Sequence, residues 1–153
     1  MRVYNISKHG VEEESQSVTK VLSTGVITSP NFPGDYPNNL DKKETITVEF
    51  GKILRLEFTH FAVYSHPSSC YSDYIKVTDG DGTTLMDKSC GFDYSENENL
   101  QNAESSGGWY FQPPNITSNT NTVEIFFHTD DSGGREGWNL TWIAVTPGVK
   151  SLN

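Results

Sequence analysis

No stretch of this 153-residue chain approaches the ~20 consecutive apolar residues that cross a bilayer as a helix. No apolar run suited to a secretory leader follows Met1 either, so Met1 reads as an expression start or a trimmed mature terminus. Positive charge is scarce: 11 Lys and Arg stand against 20 Asp and Glu, a net charge of −9. Phosphate recognition is driven by Lys and Arg, so nucleic acid is excluded as the main partner, and so are anionic membrane surfaces and membrane insertion. The balance suits a cation or a basic protein surface, and equally a charge that serves only solubility. Cysteine is almost missing, with Cys70 and Cys90 alone. Joined to each other, they would close a loop that contributes about 3 kcal/mol in chain-entropy terms. No amphipathic helical period and no internal repeat is found, which leaves strands.

What is present agrees with strands. Eight Phe, seven Tyr and three Trp accompany repeated Val, Ile and Thr, the residues that fit a pleated, half-buried surface. The length suits one domain with its own core. Residues 1–22 read as a tail or an added edge segment, 23–147 as the domain, and 148–153 as a C-terminal tail. Thr45–Phe50 alternates with period two and puts Ile46, Val48 and Phe50 on one face. Ile53–Phe58 alternates again, with Leu54, Leu56 and Phe58 inward and Arg55 and Glu57 outward. The Gly51-Lys52 step between these two segments predicts a hairpin. Asp73–Thr78 is a further strand, ended by the turn Asp79–Gly82 and followed by a return over Thr83–Met86. Residues 91–112 form a long polar loop without period. Thr122–His128 places Val123, Ile125 and Phe127 together, and Trp138–Val145 does the same for Trp138, Leu140, Trp142 and Ala144. Many short strands with turn signals between them predict an all-β antiparallel sandwich.

Three N-x-S/T sequons, at Asn5, Asn115 and Asn139, are candidate glycosylation sites and point to an extracellular or secreted setting. In the last strand Asn139 and Thr141 face outward, so the sequon and the strand period agree.

The segment Ser29–Leu40 holds three prolines, a glycine and three asparagines, with Phe32 and Tyr36 as pins. Proline fixes φ and removes a donor, so this is an ordered loop rather than a helix or a central strand. Its wording resembles a signature near the start of CUB domains, which are extracellular β-sandwich binding modules. The resemblance extends over about residues 24–146. It takes in Gly51–Phe58, the Cys70–Gly80 segment with its C-x-x-D-Y pattern and Asp-Gly end, and Ser89–Gly91. It continues through Thr117–Asn119, Phe127–Asp130 and Gly137–Trp142. It implies a jelly-roll sandwich of two antiparallel sheets, with Cys70–Cys90 as the family's second disulfide. The first disulfide is missing: Lys42 stands where one of its cysteines is expected, and Glu44 replaces the usual core Trp.

The resemblance also implies calcium as a cofactor, held in many family members by a Glu and two Asp. Asp73 and Asp130 match the two Asp, but Tyr64 stands in the place of the Glu and Ala62 in that of a further Asp. Asp131 is the candidate to compensate, since hard cations want several oxygens from different loops. The alternative is that Asp73 and Asp130 hold turns by accepting backbone hydrogen bonds. Tyr64, Tyr71, Tyr94, Trp109 and Tyr110 are candidate contact aromatics, with Trp109 and Tyr110 equally able to pin the long loop. His9, His60, His66 and His128 lack zinc spacing. Asp131–Gly134 resembles the nucleophile segment of trypsin-like proteases without a matching His context, so it reads as a turn.

These readings predict a non-enzymatic extracellular module that binds a protein partner, basic or lysine-presenting, through loops at one end of the sandwich. The acidic run Glu96–Glu104 would face such a partner together with Asp73 and Asp130. The alternatives are a carbohydrate-binding protein like the sperm-coating members of the family, or an accessory domain of a secreted protease.

Overall fold

The computed structural model describes residues 22–65, 69–94 and 110–148. Asn5, His9, His66, Trp109, the run Glu96–Glu104 and most of both tails lie outside the described residues. Nine strands are present among the described residues: β1 (Thr24–Thr28), β2 (Asp41–Thr47), β3 (Ile53–Val63), β4 (Tyr74–Asp79), β5 (Thr84–Ser89), β6 (Gly91–Phe92), β7 (Ile116–Thr117), β8 (Thr122–His128) and β9 (Gly137–Val145). One sheet runs β1-β9-β3-β6, with β7 also on β3, and the other runs β2-β8-β4-β5. All the strand pairs are antiparallel, as a jelly-roll sandwich requires.

The alternation read from the sequence sets the core. From one sheet Leu54, Leu56, Phe58, Trp138 and Leu140 point inward, and from the other Ile75, Val77, Val123, Ile125 and Phe127. Each such side chain contributes about 1.5–3 kcal/mol relative to exposure. Aromatic edges meet across the layers: Phe127 lies 5.7 Å from Trp138 and 5.0 Å from Tyr36, both edge to face. The disulfide Cys70–Cys90 is formed, with 5.5 Å between its Cα atoms.

The expected hairpin between Thr45–Phe50 and Ile53–Phe58 is wrong. The strand starts earlier and stops at Thr47, and residues 48–52 carry the chain from one sheet to the other, so β2 pairs β8 and β3 pairs β9. Phe50 therefore does not share the inward face of Ile46 and Val48; it is 86% exposed at the turn. The long loop after Cys90 also contains structure that a period could not announce: Gly91–Phe92 pairs Val63 and Ala62, and Phe92 bridges Tyr110.

Among the described residues, strand β2 is an edge. Its register puts Lys42 beside Phe127 and Glu44 beside Ile125, so both charges sit on the core-facing side of the rim. Lys42 Nζ lies 3.4 Å from the Glu44 carboxylate. The two residues that depart from the expected cysteine and tryptophan thus form an ion pair with each other. Charge directed inward on an edge strand also discourages edge-to-edge pairing with another chain.

At one end of the sandwich, Asp79 is buried and organises the turns. Its carboxylate accepts from the Asn119 and Thr120 amides and from Thr120 Oγ1 at 2.6 Å. The opposite end carries the loops that contain Tyr36, Asp73 and Asp130.

Candidate binding site at one end of the sandwich

Ser29–Leu40 is the ordered loop its prolines predict, with Asn31 and Asn39 at φ 69° and 59°, values that Asn tolerates better than most residues. Backbone bonds hold it against residues 129–138. Ser29 N donates to Trp138 O at 3.0 Å, Tyr36 N to Arg135 O at 2.9 Å, and Asn39 N to Asp130 O at 2.7 Å. Thr129 Oγ1 accepts from Leu40 N and donates to Pro37 O.

This clamp brings Tyr36 inside, where its hydroxyl is central. It donates to Asp73 Oδ2 at 2.7 Å and accepts from Tyr64 N at 2.9 Å. The other Asp73 oxygen, Oδ1, accepts from Asp130 N at 2.8 Å. Ser65 Oγ accepts from Ser72 N and from Asp73 N, the latter at 3.4 Å, and shares a hydrogen bond with Ser72 Oγ. Segment 29–40, Tyr64–Ser65 with Ser72–Asp73, and segment 129–137 are therefore joined at one buried carboxyl group. Burial lifts the Asp73 pKa to about 6; the bonds from Tyr36 and from the Asp130 amide hold it down, while the nearby Asp130 carboxylate pushes it up. Burial, reinforced by Asp73, raises the Tyr36 hydroxyl well above its usual range.

Of the residues singled out in the sequence, Asp73, Asp130 and Tyr64 come together here. Asp130 is half-buried, and its own carboxylate accepts from Ser132 N at 3.2 Å, which makes Asp131–Gly134 a turn. Asp131 is exposed. Tyr71 is 63% exposed and sits next to Ser72 at the same end. Tyr64 is half-buried rather than displayed, and Gly133 packs against its ring. Tyr110 is 59% exposed. Tyr94 is half-buried and its hydroxyl donates to the Glu136 carboxylate at 2.8 Å. His60 lies between the rings of Phe32, at 5.3 Å, and Tyr94, at 5.6 Å. His128 Nδ1 is 2.7 Å from Asp41 Oδ1.

Sequence reasoning missed Arg135. Its guanidinium stands 4.9 Å over the Tyr64 ring and 5.8 Å from that of Phe92, and its positive charge acts on the Tyr36 hydroxyl. Nothing in the local pattern signals this, because the stacking depends on how loop 129–137 lies over strand β3. Of the calcium set that the resemblance implied, Asp73 and Asp130 meet at this end and Tyr64 stands at the third carboxylate's place. Asp73 already accepts a protein donor on each oxygen, the third carboxylate is replaced by Tyr64, and a fixed cation caps that tyrosine. Among the described residues no three His, Cys, Asp or Glu side chains converge, whereas calcium takes 6–8 oxygens, several of them anionic.

The sequence profile of the family described as CUB domain matches residues 15–142. The chain is 34% identical over 124 residues to human "Mannan-binding lectin serine protease 1", covering 80% of this chain and 15% of that protein. It is 28% identical over 123 residues to rat "Cubilin", covering 80% of this chain and 3% of that protein. It thus spans a small part of the relatives it matches. Among solved structures, the "MASP-1 CUB2 domain bound to Ca2+" superposes with a TM-score of 0.63 at 29% identity, covering 80% of this chain and 94% of that one.

Proposed function

This chain belongs to the CUB domain family, and we propose that it is an extracellular interaction module that binds a protein partner through the end built on Tyr36, Asp73 and Asp130. The observation that carries this is Tyr71, a largely exposed aromatic next to loops that the buried Asp73 fixes in place. A rigid aromatic beside a preorganised backbone is the usual make-up of a binding hot spot. Asp131 and the outer side of Asp130 add negative charge, which suits a basic partner. Asp73 itself is occupied and supports the surface rather than meeting the partner.

The test is saturable binding of the labelled domain to protease-sensitive sites on cell surfaces. Tyr71→Ala is expected to weaken binding about tenfold or more, the loss of roughly 1.4 kcal/mol or more, and Asp131→Lys to weaken it too, whereas Phe50→Ala at the other end leaves it unchanged. Binding that survives both loop variants, or that depends on Phe50, rejects this surface. Binding that resists protease but disappears on removal of cell-surface sugars points to the carbohydrate alternative instead.

In this reading calcium is not needed to order the loops, because Asp73, Tyr36 and Arg135 already hold them. The melting temperature is therefore expected to be the same within about 1 °C in millimolar calcium and in chelator, since a ligand that binds only the fold would raise it. A rise of several degrees with calcium would show that the two carboxylates recruit further oxygens and bind the ion.

A further inference from the structure

We propose that Asn115 and Asn139 both carry N-linked glycans and that the two together cover the outer face of the β1-β9-β3 sheet, leaving the loop end for partners. The inference rests on the extracellular setting and on register. In each sequon the middle residue is locked into the core: Leu140 is 0% and Ile116 4% exposed. Successive side chains on a strand point to opposite faces, so the Asn and Thr on either side of a buried residue must face out. Asn115 is exposed accordingly. Asn139 keeps its carboxamide oxygen buried with no hydrogen-bond partner among the described residues.

The two sites share a face. Strand β3 lies between them, with Arg55 beside both Thr117 and Ile143, and Glu57 beside Thr141. Asn115, Glu57 and Thr141 line one shallow depression of about 160 Å³. Two strand spacings across and one side-chain repeat along the strand separate the asparagines by roughly 12 Å, within the reach of neighbouring sugars. The same face shows apolar side chains that nothing in the sandwich covers: Val26 is 58% and Ile143 46% exposed, side by side with Thr141 and Thr24. A glycan supplies cover for them without a protein partner.

The modification is a transfer to the side-chain amide. The bond between Asn Nδ2 and C1 of the first sugar forms, and the bond from C1 to the pyrophosphate oxygen of a lipid-linked oligosaccharide donor breaks. The lipid pyrophosphate leaves with that electron pair, and the amide proton passes to a base.

The chain secreted from a glycosylating cell line is the material for the test. Intact mass is expected to show a glycan at each site, with N115Q and N139Q each removing one. Because N139Q alters a half-buried side chain, Thr141→Val and Thr117→Val serve as second variants that keep the asparagines and lose the acceptor sequence. Hydroxyl-radical footprinting then reads the cover, with oxidation of Val26 and Ile143 expected to rise about threefold after enzymatic removal of the sugars. An unmodified Asn115 or Asn139 in the secreted protein overturns the proposal, and so does oxidation unchanged by sugar removal. Neither readout involves the partner, so failure here leaves the loop-end reading standing, and failure there leaves this one.

Discussion

Replacing Gly137 by alanine is expected to destabilise the domain by about 4 kcal/mol, the sum of backbone strain and overpacking at one buried position. The residue has φ +88°, a conformation that costs any residue with a Cβ. The added atom would also run into Ser29 Oγ, approach Ser29 Cβ to 2.8 Å and meet the Tyr36 ring at 3.2 Å. None of these can retreat easily. Ser29 is buried, donates to Glu136 O and accepts from Trp138 N, and Tyr36 is held by Asp73. For a domain of this size the loss corresponds to a fall of about 8–16 °C in melting temperature. Adding Ser29→Gly removes the worst contact but also the acceptor of the buried Trp138 amide, so it should recover only a small part of the loss. Calorimetry of the two variants decides. An alanine variant as stable as the parent would mean that strand β9 starts with a different backbone from the one described.

Asp73→Ala ranks next, at about 3 kcal/mol near neutral pH, since it leaves the buried Tyr36 hydroxyl and the Asp130 amide without an acceptor. Its relative Asp73→Asn reports on charge. The folded-state pKa of about 6 exceeds the ordinary value of 3.8, so the folded chain binds a proton more tightly than the unfolded one. The stability from that proton is fully present below the unfolded value, is lost as pH rises through about 6, and is absent at neutral pH. Its size is on the order of 2–3 kcal/mol. Urea melts from pH 7.5 down to pH 4 should therefore show the parent gaining on Asp73→Asn over the acid half of the range. Parallel curves for the two proteins would place the titration at another group.

Much of the architecture was legible because strands buried on one face write their period into the sequence. Val123, Ile125 and Phe127, and Trp138, Leu140 and Trp142, are buried as the alternation predicts. The same rule failed at Phe50, where period two was extended beyond the end of the strand. The Gly51-Lys52 step looks like a hairpin turn, yet it lies in a crossing between sheets, and local sequence does not distinguish the two. Strands β6 and β7 have two residues each, too few to carry a period. At the site, Asp73 and Asp130 came from the family resemblance, while Arg135 over Tyr64 had no such pointer. A cation-over-ring contact is made by residues distant in sequence and leaves no periodic trace.

Lys42 and Glu44 both belong to strand β2, so their ion pair joins no second strand and leaves this rim of the sandwich without a covalent tie. Among the described residues strand β2 hydrogen-bonds to β8 on one side only, so its opening does not have to wait for the rest of the sandwich to come apart. Its amides belong to the part of the molecule that exchanges hydrogen with solvent by local opening. Both partners of the pair are partly exposed, so dissolved salt screens it, yet the pair travels with the strand and does not resist such opening. Reducing agents leave this flank untouched, and its opening is set by the β2-β8 ladder.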